Sequence, residues 1–263
     1  MPELTLTRLL LLLAATLLPA AAIAWAVGLL VRMVAPRFGL VDRPTAGHKA
    51  HSAPTPLGGG IAVLAGVATP LVAGAVMVFL FPEPPAWAPE WVAPHWDGLR
   101  SRLPQLGLLL SGGAVLLMVG LIDDLRGLSW PVKLAAQFLV ATACLLAADW
   151  QLTAFLPFAW LGLALSVLWI VAIVNAFNML DNMDGLSGGV AAIAASCLAA
   201  TLLLGQSDTA MRPQWFVAGL LLVVVGSLLG FLVHNRPPAT LFLGDAGSYF
   251  IGFLLAVAAL LGT

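Results

Sequence analysis

Eight stretches of this chain are too long and too apolar to pack inside a water-soluble core. They span residues 9–33, 58–81, 104–121, 131–148, 155–174, 187–204, 215–233 and 247–262. A helix rises about 1.5 Å per residue, so roughly 20 apolar residues cross a hydrocarbon layer about 30 Å thick. Hydrophobic residues make up 61% of the chain and charged residues only 9%, against about 25% charged in soluble domains. Lipid must therefore cover much of the surface. Inside lipid every backbone N–H and C=O has to be satisfied within the protein, and no alternating strand pattern is present. The predicted fold is all-α: a polytopic transmembrane helix bundle of about eight spans, forming one domain over residues 1–263. The first run follows Arg8 and has the look of a signal peptide. It continues uncharged from Leu9 to Val31, however, which fits a retained span.

The widest connection, Pro82 to Leu103, carries Trp87, Trp91 and Trp96 among prolines, the composition of an interfacial loop with an aromatic belt. Both cysteines, Cys144 and Cys197, fall in apolar runs and read as small core residues rather than a disulfide or metal pair. Net charge is −1, which gives no basic field for nucleic acid. Arg32, Arg37, Arg43, Lys49, Arg126, Lys133 and Arg236 follow odd-numbered spans, whereas Arg8, Arg100, Arg102 and Arg212 lie on the other side. The positive-inside bias puts the odd-numbered loops in the cytoplasm. The chemically dense segments, 41–60, 121–137, 175–189 and 235–248, fall in those same loops. Four segments distant in sequence are thus expected to meet on one face.

Asp123 and Asp124 close the third run. Adjacent helical positions point about 100° apart, so the pair suits divided labour, one carboxylate for a metal and the other for a proton or phosphate; it also suits a solvated helix end. Lys133, opening the next run, is either a phosphate ligand or an interfacial lysine. Asn175, Asn178, Asp181 and Asp184 recur every three residues as a polar stripe. It begins near membrane depth, where polar groups line cavities, bind ligands or join helices. Asp245, between Gly244 and Gly247, is an N-cap or part of an anion-facing helix start. With Asp123 and Asp124 it makes a hard oxygen set suited to Mg²⁺ or Mn²⁺. His48 and His51 lack the third ligand of a zinc site and, with Lys49, are either interfacial or catalytic. Pro54, Pro56 and Gly58 to Gly60 predict a tight turn into the second span.

These segments resemble the polyprenyl-phosphate N-acetylhexosamine-1-phosphate transferases in order along nearly all the chain. Asp123-Asp124 with Lys133 and Gln137 matches the family's DD…KLxxQ segment. Asn175, Asn178, Asp181 and Asp184 match NxxN…D…DGL, and residues 244–248 match GDxGS. The opening VDRP…HKAH…PTPLGGG is similar to the branch that uses UDP-N-acetylglucosamine, with phospho-N-acetylmuramoyl-pentapeptide transferase as the alternative branch. The resemblance implies a UDP-N-acetylhexosamine donor, undecaprenyl phosphate as acceptor, UMP release and Mg²⁺, at the cytoplasmic face of a bacterial plasma membrane. By the same resemblance Asp123, Asp124, Asp181 and Asp184 are catalytic carboxylates, and Asp245 with Asp124 holds the metal. Asp123 orients or deprotonates the lipid phosphate. Substrate-binding residues are Lys49, His51, Lys133, Asn175, Asn178, Asn235, Arg236 and Phe242, the last stacking on uracil. A homodimer is an expected arrangement. Asn182 departs from the family's glycine in this segment. Relatives continue past the position of Thr263, so the chain reads as a C-terminally truncated fragment or a short form of reduced activity. Two other readings are a secondary transporter, though the acids cluster on one side and no repeat is visible, and an inactive assembly subunit.

Overall fold

The computed structural model describes residues 5–42, 54–148, 158–204 and 214–262. Among them run nine α-helices: α1 (Leu6–Val34), α2 (Gly59–Leu80), α3 (Trp96–Ser101), α4 (Leu103–Arg126), α5 (Trp130–Ala148), α6 (Ala159–Leu180), α7 (Leu186–Leu204), α8 (Trp215–Asn235) and α9 (Gly244–Leu261). All but α3 are long and apolar enough to cross a membrane, one for each predicted run. A two-residue antiparallel pair, Val41–Asp42 (β1) with Thr55–Pro56 (β2), lies outside the spans.

Helix ends differ from the predicted ones where polar residues had seemed to close an apolar run. α6 passes residue 174 and reaches Leu180, and α4 passes 121 and reaches Arg126. The reason is local satisfaction of polar groups at depth. Asn175 Nδ2 donates to Val171 O at 2.7 Å and to Gln137 Oε1 at 2.5 Å, so the amide costs the helix little. Trp96 is also not part of an exposed belt. It is buried, and its Nε1 donates to Phe81 O at 2.9 Å, tying α3 to the end of α2; Trp87 stays exposed. Cys144 is buried as expected, but Cys197 is exposed on α7. In a membrane the outer face is as apolar as the core, so hydrophobic context cannot separate the two.

Two neighbouring helices, α8 and α9, form the interior. α8 packs between α1 and α7, α9 packs between α4 and α6, and α2 leans on both. α5 closes the outside against α4 and α6. Association in lipid depends on close backbone approach and small residues rather than on hydrophobic driving force. Gly120 of α4 meets that need where it matters to the site, because a Cβ there would run into the Asp245 backbone of α9.

The segment entering α2 turns at Gly58, whose φ of +103° is left-handed. It is then pinned to the start of α9. Phe242 N donates to Pro56 O at 2.9 Å, Gly59 N to Phe242 O at 2.8 Å, and Gly60 N to Leu243 O at 3.0 Å. The ends of α4, α6 and α8 and the starts of α2, α5, α7 and α9 therefore gather at one end of the bundle.

Candidate active site

The organising element is the first turn of α9. Helix N-termini leave backbone N–H groups without intrahelical partners, and here two carboxylates from other helices take them. Asp124 Oδ1 accepts from Asp245 N at 2.9 Å and Oδ2 from Ala246 N at 3.3 Å. Asp181 Oδ2 accepts from Gly244 N at 3.0 Å. Gly244 has φ +75°, and a Cβ there would meet the Asp124 carboxylate, so a side chain would spoil the position on both counts. Asp245 does not cap α9; Leu243 holds that position. Its carboxylate instead accepts from Asn178 Nδ2 at 2.7 Å, and the same amide reaches Ser248 Oγ at 3.2 Å.

Asp123, a 100° helical step from Asp124, takes different partners while its carboxyl stays beside that of Asp245. Its Oδ1 accepts from Leu128 N at 2.6 Å, and its Oδ2 pairs with Lys133 Nζ at 2.6 Å. Lys133 also lies 3.5 Å from Asp245 Oδ2. One ammonium thus bridges two carboxylates from α4 and α9, which makes it more than an interfacial lysine. Burial, and then the charges of Asp124 and Asp245, push the Asp181 carboxyl up to about 8. Beside it, Asp123, Asp124 and Asp245 set three carboxyls against the one ammonium of Lys133.

That imbalance bears on a divalent cation. Among the described residues no three His, Cys, Asp or Glu side chains are grouped as a ready-made metal cage. Mg²⁺, however, is commonly held by one or two carboxylates, with water and substrate phosphates completing its shell. An all-oxygen donor set with more carboxyls than ammonium groups fits such an ion.

The three-residue stripe splits. Only Asn175 and Asn178 lie on α6; Asp181 follows its last turn, and Asp184 sits in the turn before α7. Asn175 faces Gln137 of α5, whereas Asn178 faces α9. Asp184 Oδ2 accepts from Ala239 N at 2.9 Å. Asn235 is buried, accepting from Gly185 N at 3.0 Å and donating to Leu241 O at 2.9 Å. Both residues lace the α6–α7 turn to the α8–α9 loop. Phe242 is half-buried, with its backbone engaged by the α2 strap. Arg236 lines a cavity with Arg32 and His234, and none of the four clustered aspartates lines it. Lys49 and His51 lie outside the described residues. Two buried polar residues carried no role in the sequence reading. Gln137 matched only as a motif position and His234 did not stand out, yet a polar side chain inside an apolar run was signal enough.

A hydrophobic bundle with a carboxylate-rich polar end defines an integral membrane protein with a one-sided site, and comparison with known proteins says which. Residues 106–263 match glycosyl transferase family 4, and the chain belongs to that family. It is 32% identical over 240 residues to a probable undecaprenyl-phosphate N-acetylglucosaminyl 1-phosphate transferase of Bacillus subtilis, covering 89% of this chain and 58% of the relative. It is 34% identical over 242 residues to a decaprenyl-phosphate N-acetylglucosaminephosphotransferase of Mycobacterium tuberculosis, covering 87% and 55%. A phospho-N-acetylmuramoyl-pentapeptide-transferase of Chlamydia muridarum is 41% identical over 111 residues, covering 40% and 32%. The chain spans 58% and 55% of the length of the first two relatives.

Proposed function

We propose that this protein transfers N-acetylhexosamine 1-phosphate from a UDP-sugar to undecaprenyl or another polyprenyl phosphate, releasing UMP. It would do so at the cytoplasmic face of a bacterial plasma membrane, in the building of envelope polysaccharide. The observation that carries the reading is the meeting of Asp123, Asp124, Asp181, Asp245 and Lys133 around one helix start. The relatives matched over most of the chain are named for N-acetylglucosamine transfer, which favours that donor over a muramoyl pentapeptide.

In the reaction an oxygen of the lipid phosphate attacks the sugar-bearing phosphorus. The bond from that phosphorus to the bridging oxygen breaks, and UMP leaves with the electron pair. One phosphoanhydride replaces another, so catalysis is chiefly positioning. Two unit charges 4 Å apart repel by about 4 kcal/mol at an effective dielectric of 20, and the two reacting phosphates each carry at least one. Lys133, paired with Asp123 and near Asp245, would share its ammonium with an incoming phosphate. Asp123, already held by the Leu128 N–H, would orient the acceptor. Asn178, Asp181 and Phe242 would hold the nucleoside. Asp245 and Asp124 would hold Mg²⁺ or Mn²⁺, which when bound neutralises diphosphate charge and stabilises the leaving UMP.

The test is incubation of the protein with radiolabelled UDP-N-acetylglucosamine, undecaprenyl phosphate and Mg²⁺. Label should pass into lipid and UMP should be released. Solute uptake into proteoliposomes without UMP release would replace this reading with a carrier.

A further inference from the structure

A second polar feature occupies the α1–α8 side of the same bundle end. It is a cavity of about 550 Å³ lined by Trp25, Leu29, Arg32, Val233, His234 and Arg236, with the loop residues Pro237, Pro238 and Thr240. Its polar wall is built rather than incidental. His234 is 3% exposed, in space kept open by Gly28, where a Cβ would meet the imidazole. Its Nε2 lies 2.9 Å from Trp25 O. That carbonyl can only accept, so Nε2 carries the proton and Nδ1 presents a lone pair. Arg32 Nη1 lies 3.5 Å from Nδ1, so the histidine steers the guanidinium toward the cavity. Thr240 donates to His234 O through both its N–H, at 2.8 Å, and its hydroxyl, at 3.0 Å. This fixes the loop that follows Arg236. Neither guanidinium has an ion-pair partner among the described residues, where the salt bridges both belong to Lys133.

Beneath the two arginines the wall turns apolar and faces outward. Trp25 is 46% exposed and Val233 49%, with Leu229 a turn deeper on α8 also exposed. A cationic rim above an outward apolar wall at a span's end matches an acyl-bearing phosphate better than a free one.

We propose that this notch binds an anionic glycerophospholipid, with its phosphodiester between Arg32 and Arg236 and an acyl chain along Trp25, Leu229 and Val233. None of the clustered aspartates lines the notch, so it is separate from the carboxylate cluster, and it stands whether or not the transfer reaction does.

The test titrates the whole protein, in neutral detergent, with phosphatidylglycerol brominated on its acyl chains. It follows the tryptophan quenching that Trp25→Phe removes. Each basic residue at a membrane surface is worth about five-fold in affinity for an anionic lipid. Half-saturation should therefore rise about five-fold in Arg32→Gln and again when Arg236→Gln is added. Arg32→Lys should stay within about two-fold. On the unaltered protein, brominated phosphatidylcholine should bind at least about ten-fold more weakly, and millimolar inorganic phosphate should not displace the lipid. Equal quenching by the two phospholipids would overturn the proposal, as would displacement by free phosphate. Stronger displacement by undecaprenyl phosphate than by phosphatidylglycerol would overturn it too, by making the notch an acceptor site. The comparisons on unaltered protein decide the matter even if the glutamine variants fail to fold.

Discussion

The two sides of the bundle's polar end carry opposite charge and treat it differently. On the α4–α6–α9 side, carboxylates are bound into the fold: Asp124 and Asp181 hold the first amides of α9, and Asp123 holds Leu128 and Lys133. On the α1–α8 side, Arg32 and Arg236 border open space, steadied by one histidine. The difference teaches which charge is spent on architecture and which remains for a ligand. Asp124 and Asp181 serve two purposes there, so removing either damages both site and helix start. An arginine on the other side can be removed with little consequence for the fold.

The largest effect should come from the carboxylate that caps nothing. Asp245→Ala should cut transfer by at least about a hundred-fold, the range for losing a main electrostatic group in an active site. Lipid-linked label measures it, and substantial Mg²⁺-dependent turnover would remove Asp245 from the metal site. Asp123→Asn should lower turnover by about ten-fold or more while UDP-sugar binding, read by calorimetry, stays near wild type. Equal loss of both would contradict its assignment to the acceptor. Gly120→Val should lower thermal stability by about 1–3 kcal/mol, since the added atoms push α4 off the α9 backbone. Transfer should fall with it, and an unchanged melting curve would deny that close packing. Asp184→Ala should cost about 1 kcal/mol through loss of the Ala239 tie, with Asp184→Asn recovering most of it. A full loss of transfer in Asp184→Asn at unchanged stability would instead make the residue catalytic.

Span number was legible because lipid demands length and apolarity, and eight runs satisfied both. Span ends were less so. Asn175 and Asn178 read as the edge of an apolar run, yet their partners, Gln137 and Asp245, come from other helices and hold them inside the protein. The convergence of four segments was visible in the loop asymmetry. That Asp123 and Asp124 take different partners followed from the helical step; what each would do in a reaction did not. What sequence could not assign was which polar residues are ties. Asp184 meets a backbone N–H at Ala239, and Asn235 meets Gly185. Such partners have no side-chain signature, so a lacing aspartate and a catalytic one look alike until the fold places them.

The most direct test of the central claim is the sidedness of two loops. Ser129, between α4 and α5, and Thr240, between α8 and α9, are both exposed. Each would be changed singly to cysteine in a background without Cys144 and Cys197, then offered a membrane-impermeant maleimide in right-side-out and in inverted vesicles. Both positions should react in inverted vesicles alone. Labelling of the two from opposite faces would separate the carboxylate-bearing segments and contradict a shared site.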